Sequence, residues 1–171
     1  GQGKRLEGIS IDIKGTSYSG SVEYQTHVQS YGWMNWVADG AMSGTSGQAK
    51  RLEAIQIIVE PGYGVGVEYR THIQSKGWEK TWKKDGETSG TSGEAKRLEA
   101  IQIRLTGTNK NKYDIYYRVQ AQTYGWLGWV KNGAYAGTAG QAKRLEAIQI
   151  IIMPKTDYPT DYEGFDGTIG G

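Results

Sequence analysis

The sequence predicts an all-β fold of closed, pseudo-threefold architecture, β-prism-like, with a β-trefoil as the alternative. Three observations carry this expectation: one unit recurs three times, its apolar residues alternate or run in short stretches instead of at helical spacing, and glycine-bearing turns punctuate it. Lys4-Arg5-Leu6-Glu7-Gly8-Ile9 returns from Lys50 to Ile55, from Lys96 to Ile101 and from Lys143 to Ile148, with arginines 46, 46 and 47 residues apart. A fixed period of this length restricts the fold more strongly than local propensity does.

Within the first unit, Val22, Tyr24, Thr26 and Val28 alternate with Glu23, Gln25, His27 and Gln29, the pattern of a half-buried strand. Ser30-Tyr31-Gly32 should turn the chain. Trp33 to Ala38 should return as a shorter strand that ends at the Asp39-Gly40 turn. Gly44-Thr45-Ser46-Gly47 reads as a glycine-bent loop leading into Leu52 to Val59, whose Ile and Val content marks a strand buried largely on both sides. About three strands per unit cannot bury a hydrophobic face alone, so the units should share a core. Closing them into a ring would also remove exposed sheet edges. The extra copy of the Arg-Leu-Glu segment, Lys4 to Ile9, would then sit at the seam or belong to a preceding unit.

Composition narrows the function classes. The formal net charge is +2, from 20 basic and 18 acidic residues, a balance that points to no nucleic-acid partner. Without cysteine there is no disulfide and no thiolate chemistry. No apolar run reaches the roughly 20 residues of a membrane-spanning helix, so membrane insertion is not expected. The chain begins at Gly1 and reads as a piece of something longer, with the repeat domain over 1–153 and an acidic extended tail or linker over 154–171.

From Tyr24 to Ile57 the string runs Tyr-x-x-His-Val-Gln-Ser-Tyr-Gly-Trp-x-x-Trp-x-x-Asp-Gly-x-x-x-Gly-Thr-Ser-Gly-x-x-x-Arg-Leu-Glu-Ala-Ile-Gln-Ile, and two further bodies follow it through Ile152. This pattern resembles the clostridial hydrophobic repeats with a characteristic tryptophan, the ChW family. The second unit departs by one inserted residue, so that Trp78 and Trp82 are four apart where Trp33 and Trp36 are three apart, and the third has Gln120 where the others have His27 and His72. The resemblance implies a secreted or cell-surface protein of a Gram-positive bacterium, in which such repeats accompany polysaccharide-degrading, protease or adhesion modules. It brings no catalytic residues and no cofactor. The expected function is therefore a non-enzymatic, lectin-like binding module for a polysaccharide or cell-surface glycan, with a protein-binding adhesion or assembly module as the alternative.

Tryptophan can stack on the apolar face of a sugar, but a large ring recurring at one place in three units can equally fill a shared core. Trp33, Trp78 and Trp126, each after a glycine, are expected in the core. Trp36, Trp82 and Trp129, near the Asp/Asn-Gly turns, are the candidate ligand-binding rings. The strand face carrying His27 and Gln29, His72 and Gln74, and Gln120 and Gln122 is the candidate polar lining of a groove. Two histidines in separate units lack metal-ligand spacing. Glu53, Glu99 and Glu146 could suggest acid–base catalysis, but each has its own Arg51, Arg97 or Arg144 two residues away, which favours a structural ion pair. In the tail, Asp157, Asp161, Glu163 and Asp166 oppose one Lys155, and Tyr158, Tyr162 and Phe165 are expected to dock its rings on the body.

Overall fold

The computed structural model describes residues 21–162 and is all-β. The first unit contributes β1 (Val22–Val28), β2 (Gly32–Trp33), β3 (Val37–Ala38), β4 (Ser43–Gly44) and β5 (Leu52–Val59). The second contributes β6 (Gly66–Ile73), β7 (Gly77–Trp78), β8 (Lys83–Lys84), β9 (Ser89–Gly90) and β10 (Leu98–Thr106). After a 3₁₀ turn at Lys110–Lys112 come β11 (Tyr113–Ala121), β12 (Gly125–Trp126), β13 (Val130–Lys131), β14 (Tyr135–Gly137) and β15 (Leu145–Pro154). The expected long strands are present, with Val22, Tyr24, Thr26 and Val28 on the buried face of β1. The returning strand after Trp33 is broken into the short pieces β2 and β3, which both pair with β1.

These strands form three five-stranded antiparallel sheets. No single barrel closes among the described residues, so the six-stranded trefoil alternative is not adopted. In each sheet the two long strands of one unit lie side by side, β1 with β5, β6 with β10 and β11 with β15. The outermost strand comes from another unit. β9 of the second unit pairs with β5, β14 of the third with β10, and β4 of the first with β15. The segment read as a loop, Gly44-Thr45-Ser46-Gly47, thus begins with a strand residue that joins first unit to third. A two-residue strand carries no alternation, which is why pattern alone leaves it unseen.

Each long pair has a bulge at its glutamate. The register passes from His27↔Ala54 to Val28↔Leu52, skipping Glu53, and Glu99 and Glu146 are skipped in the same way. A bulge leaves the extra residue unpaired and re-aims it. Its carbonyl accepts the neighbouring unit's amide, Thr91 N–H on Glu53 at 2.9 Å, Thr138 on Glu99 at 2.9 Å and Thr45 on Glu146 at 3.0 Å.

The inner faces of all three sheets meet in one apolar core, from Val22 and Tyr24 through Ile57, Tyr69 and Ile103 to Tyr117 and Ile150. The large rings at its centre are tyrosines, not the expected tryptophans. Each hydroxyl accepts a backbone N–H from a neighbouring unit at 3.1 Å: Ile57 to Tyr69, Ile103 to Tyr117 and Ile150 to Tyr24. Burial pushes all three phenols up from their ordinary ionisation range, keeping them protonated. A buried donor left without an acceptor costs its desolvation. Tyr69→Phe, which strands the Ile57 N–H, is therefore expected to cost about 1–3 kcal/mol in chemical denaturation. Tyr31→Phe, at an exposed ring, should leave the midpoint unchanged; equal midpoints for both variants would refute the role given to the inter-unit bond.

Unit variation follows the same rule. Thr26 bonds Ser43 at 2.8 Å and Thr71 bonds Ser89 at 3.0 Å, both buried. In the third unit these positions are Val119 and Ala136, also buried. Both hydroxyls are absent together, so neither is left unpaired.

Candidate functional site

The tight turn after β1 fixes the position of the first tryptophan. Val28↔Gly32 and His27↔Trp33 are cross-strand partners, and directly opposed residues share a sheet face. Trp33 therefore stands on the outer, polar face with His27, their rings edge to face at 5.4 Å. His72 and Trp78 repeat the arrangement at 5.4 Å. Trp33 is 37% exposed and Trp78 and Trp126 are half-buried, so the expectation that these three fill the core is corrected: the hairpin register puts them outside.

Behind each outer face runs a chain of polar contacts. Arg51 Nε lies 2.8 Å from Glu53 Oε2, and Glu53 Oε1 lies 2.9 Å from His27 Nδ1. The second unit has Arg97, Glu99 and His72 at 2.8 and 2.9 Å. In the third, Arg144 meets Glu146 at 2.9 Å and Gln120 Nε2 reaches Glu146 Oε1 at 3.4 Å. The glutamates are buried, paired and in separate sheets, an arrangement that holds side chains in place. His27, His72 and Gln120 are held on these glutamates.

The three outer faces differ in what covers the second tryptophan. On the first sheet Trp36 is 41% exposed. The neighbouring strands carry an amide ladder in which Gln25 bonds Gln56 at 2.5 Å and Gln56 bonds Thr88 at 2.9 Å. On the second sheet the position of Gln25 is taken by Arg70, whose guanidinium lies 5.4 Å from the Trp78 ring centre and 5.0 Å from that of Trp82. Arg104 covers Trp82 at 3.8 Å and pairs with Glu68 at 2.9 Å. Trp78 also borders an open groove of about 360 Å³ with Lys76, Glu79 and Lys80.

On the third sheet Arg118 lies 5.0 Å from Trp126 and 4.8 Å from Trp129. Trp129, expected as a binding ring, is only 1% exposed and forms a second small core with Tyr116, Ile151 and Met153. The tail covers it. Asp161 accepts from Trp129 Nε1 at 2.7 Å and from Arg118 Nη1 at 3.1 Å, while Tyr162 packs on Tyr116 at 5.1 Å. Tyr158 is 41% exposed, with its ring 6.4 Å from that of Tyr162, and Phe165 lies outside the described residues. Desolvation lowers the Arg118 pKa, opposed by Asp161, and burial followed by neighbouring carboxylates raises the Tyr116 phenol. Asp114 anchors the start of the tail through Lys155 at 2.7 Å. Burial would raise its pKa, but bonds from Lys155 and Asn132 with the charge of Lys131 hold it below the ordinary carboxylate range.

Gln29, Gln74 and Gln122 line a cavity whose wall includes no tryptophan. They gather with Arg51, Arg97 and Arg144 around this open cavity of about 470 Å³. Sequence reasoning paired each arginine with its glutamate but missed this convergence, and it missed Arg70 and Arg118 between the tryptophans. The recurrence of Gln and Arg in every unit was the available signal.

No curated protein and no solved structure matches the chain at a significant level. The family model described as Clostridial hydrophobic W matches residues 27–61, 72–107 and 120–153. Each match takes in one outer-face hairpin and the long strand that returns from it, so the chain belongs to the ChW family as a tandem array of three repeats.

Proposed function

We propose that this chain is a non-catalytic, extracellular module that binds a cell-envelope polysaccharide on the outer faces of a closed, pseudo-threefold β-prism. The observation that carries the reading is the pair of exposed indoles, Trp33 and Trp36, on the sheet that also bears the Gln25–Gln56–Thr88 ladder. Flat apolar rings complement the C–H face of a sugar, and amides beside them suit its hydroxyls. The half-buried Trp78, Trp82 and Trp126 offer weaker versions of the same surface, and several weak sites on one body gain avidity on a polymer. Trp33→Ala/Trp36→Ala should abolish retention on insoluble cell-wall polysaccharide while changing stability by no more than about 0.5 kcal/mol per site. Undiminished retention by the double variant would refute the reading.

A second reading, a protein-binding adhesion or assembly module, draws on the third sheet. There an acidic, tyrosine-bearing segment already occupies the Arg118–Trp129 surface. A glycan array with no binding, alongside capture of a defined acidic peptide, would favour it.

A further inference from the structure

The cavity at the meeting point of the three units is separate from the tryptophan faces. Arg51, Arg97 and Arg144 each line its wall. Each pairs through Nε with its own glutamate at 2.8, 2.8 and 2.9 Å, as a hydrogen-bonded ion pair at Arg97 and Arg144 and as an ion pair without hydrogen-bond geometry at Arg51. None of the terminal guanidinium nitrogens of these three arginines has a hydrogen-bond partner among the described residues. The Nε contact selects the orientation, and no described residue takes up the outer fork.

Gln29, Gln74 and Gln122 are fixed in the same way. Their Oε1 atoms accept from the backbone N–H of Arg51, Arg97 and Arg144 at 3.3, 3.1 and 3.3 Å. Their Nε2 donors are unused among the described residues. Between the arginine and glutamine positions of every unit, a further wall residue, Ala49, Ala95 or Ala142, sits at a φ of 55°, 55° and 56°. This left-handed conformation is costly for a residue with a Cβ and, where it persists, is a pointer to function. The same strained, short residue in all three units keeps the cavity wall free of bulk.

Three arginines around one cavity repel each other, a repulsion that the buried glutamate paired with each offsets only in part. A neutral sugar would leave that repulsion in place. An anion placed among the three forks would receive charge-assisted bonds from each, and guanidinium forks match oxyanions in geometry. Three donor sets suit a group with three accessible oxygens better than a carboxylate with two. We propose that this cavity is a binding site for one tetrahedral oxyanion, a phosphate or sulfate group, free or carried on a sugar or polyol, with one site per chain.

The test is calorimetric titration of the full chain at low ionic strength with inorganic phosphate, inorganic sulfate, glucose 6-phosphate and glucose. The expected result is one equivalent of each anion bound, no glucose bound at this cavity, and affinity that falls with added salt. Glucose 6-phosphate binding tighter than phosphate assigns the site to a sugar-borne group; equal affinities assign it to the free ion. Arg97→Gln should weaken binding roughly tenfold to a hundredfold, the loss of one charge-assisted donor set. Because that variant also breaks an ion pair, Ala95→Glu is the second: it adds a carboxylate to the wall and leaves all three Arg–Glu pairs intact, and it should abolish binding. Trp33→Ala/Trp36→Ala should leave anion binding unchanged, which separates failure here from failure of the polysaccharide reading. Absence of anion binding at millimolar concentration, a stoichiometry of three, or full binding by Ala95→Glu would overturn the proposal.

Discussion

Gly90→Ala is expected to lower the free energy of unfolding by about 2–5 kcal/mol, combining backbone strain with overpacking. Gly90 lies in β9, the strand the second unit lends to the first sheet, at a φ of 102°. A Cβ there would stand 2.4 Å from the Glu53 carbonyl oxygen and 2.8 Å from the Ala54 Cα, both backbone atoms that cannot turn aside. Gly44 and Gly137 meet Glu146 and Glu99 at the same 2.4 Å, so the constraint belongs to every junction. Gly93→Ala is the matched control. Its φ is 87° with nothing within 4 Å of the added carbon, so it should show only the left-handed cost of about 1–2 kcal/mol. Urea denaturation compares the two, and equal losses would mean that the lent strand contributes little to holding the units together.

Trp129→Ala should cost about 3–5 kcal/mol, the usual loss for a large buried ring, although Trp36→Ala at the corresponding place in the first unit should cost almost nothing. The difference lies in the tail. In the third unit Tyr116, Ile151, Met153 and Tyr162 enclose the indole and Asp161 accepts its N–H at 2.7 Å. Removing residues 155–171 should destabilise the chain, shift tryptophan emission to longer wavelength and either produce self-association or add binding capacity. The ion pair of Arg118 with Asp161 has one half-exposed partner and should contribute only about 0–1 kcal/mol, so moderate salt should not reproduce the deletion. A deletion variant with parental stability, emission and oligomeric state would reduce the tail to a linker.

Much of the local structure was readable in the residue order. The alternation from Val22 to Val28 marks the buried face of β1 correctly, and the Asp39-Gly40 and Asn132-Gly133 turns form as expected, with φ of 47° and 88° and of 48° and 86°. The Arg-Glu pairing within each repeated motif was also expected from the nearness of the two residues in sequence, and it forms although the arginine precedes the strand and the glutamate sits at a bulge. The misreading of Trp33, Trp78 and Trp126 came from ranking ring size above register. Counting the turn from Val28 to Gly32 places Trp33 opposite His27, on the polar face.

The sites divide along the same line. Periodicity, turn chemistry and the recurring motif decide the three units and their long strands, because these depend on neighbours within a few residues. The pairing of β4 with β15, the covering of Trp129 by Asp161 and Tyr162, and the gathering of three arginines around one cavity join residues from different units or from the tail. No short-range pattern encodes such partners. They are chosen when the inner faces of three sheets are packed into one core, which brings equivalent positions of separate units to a common place.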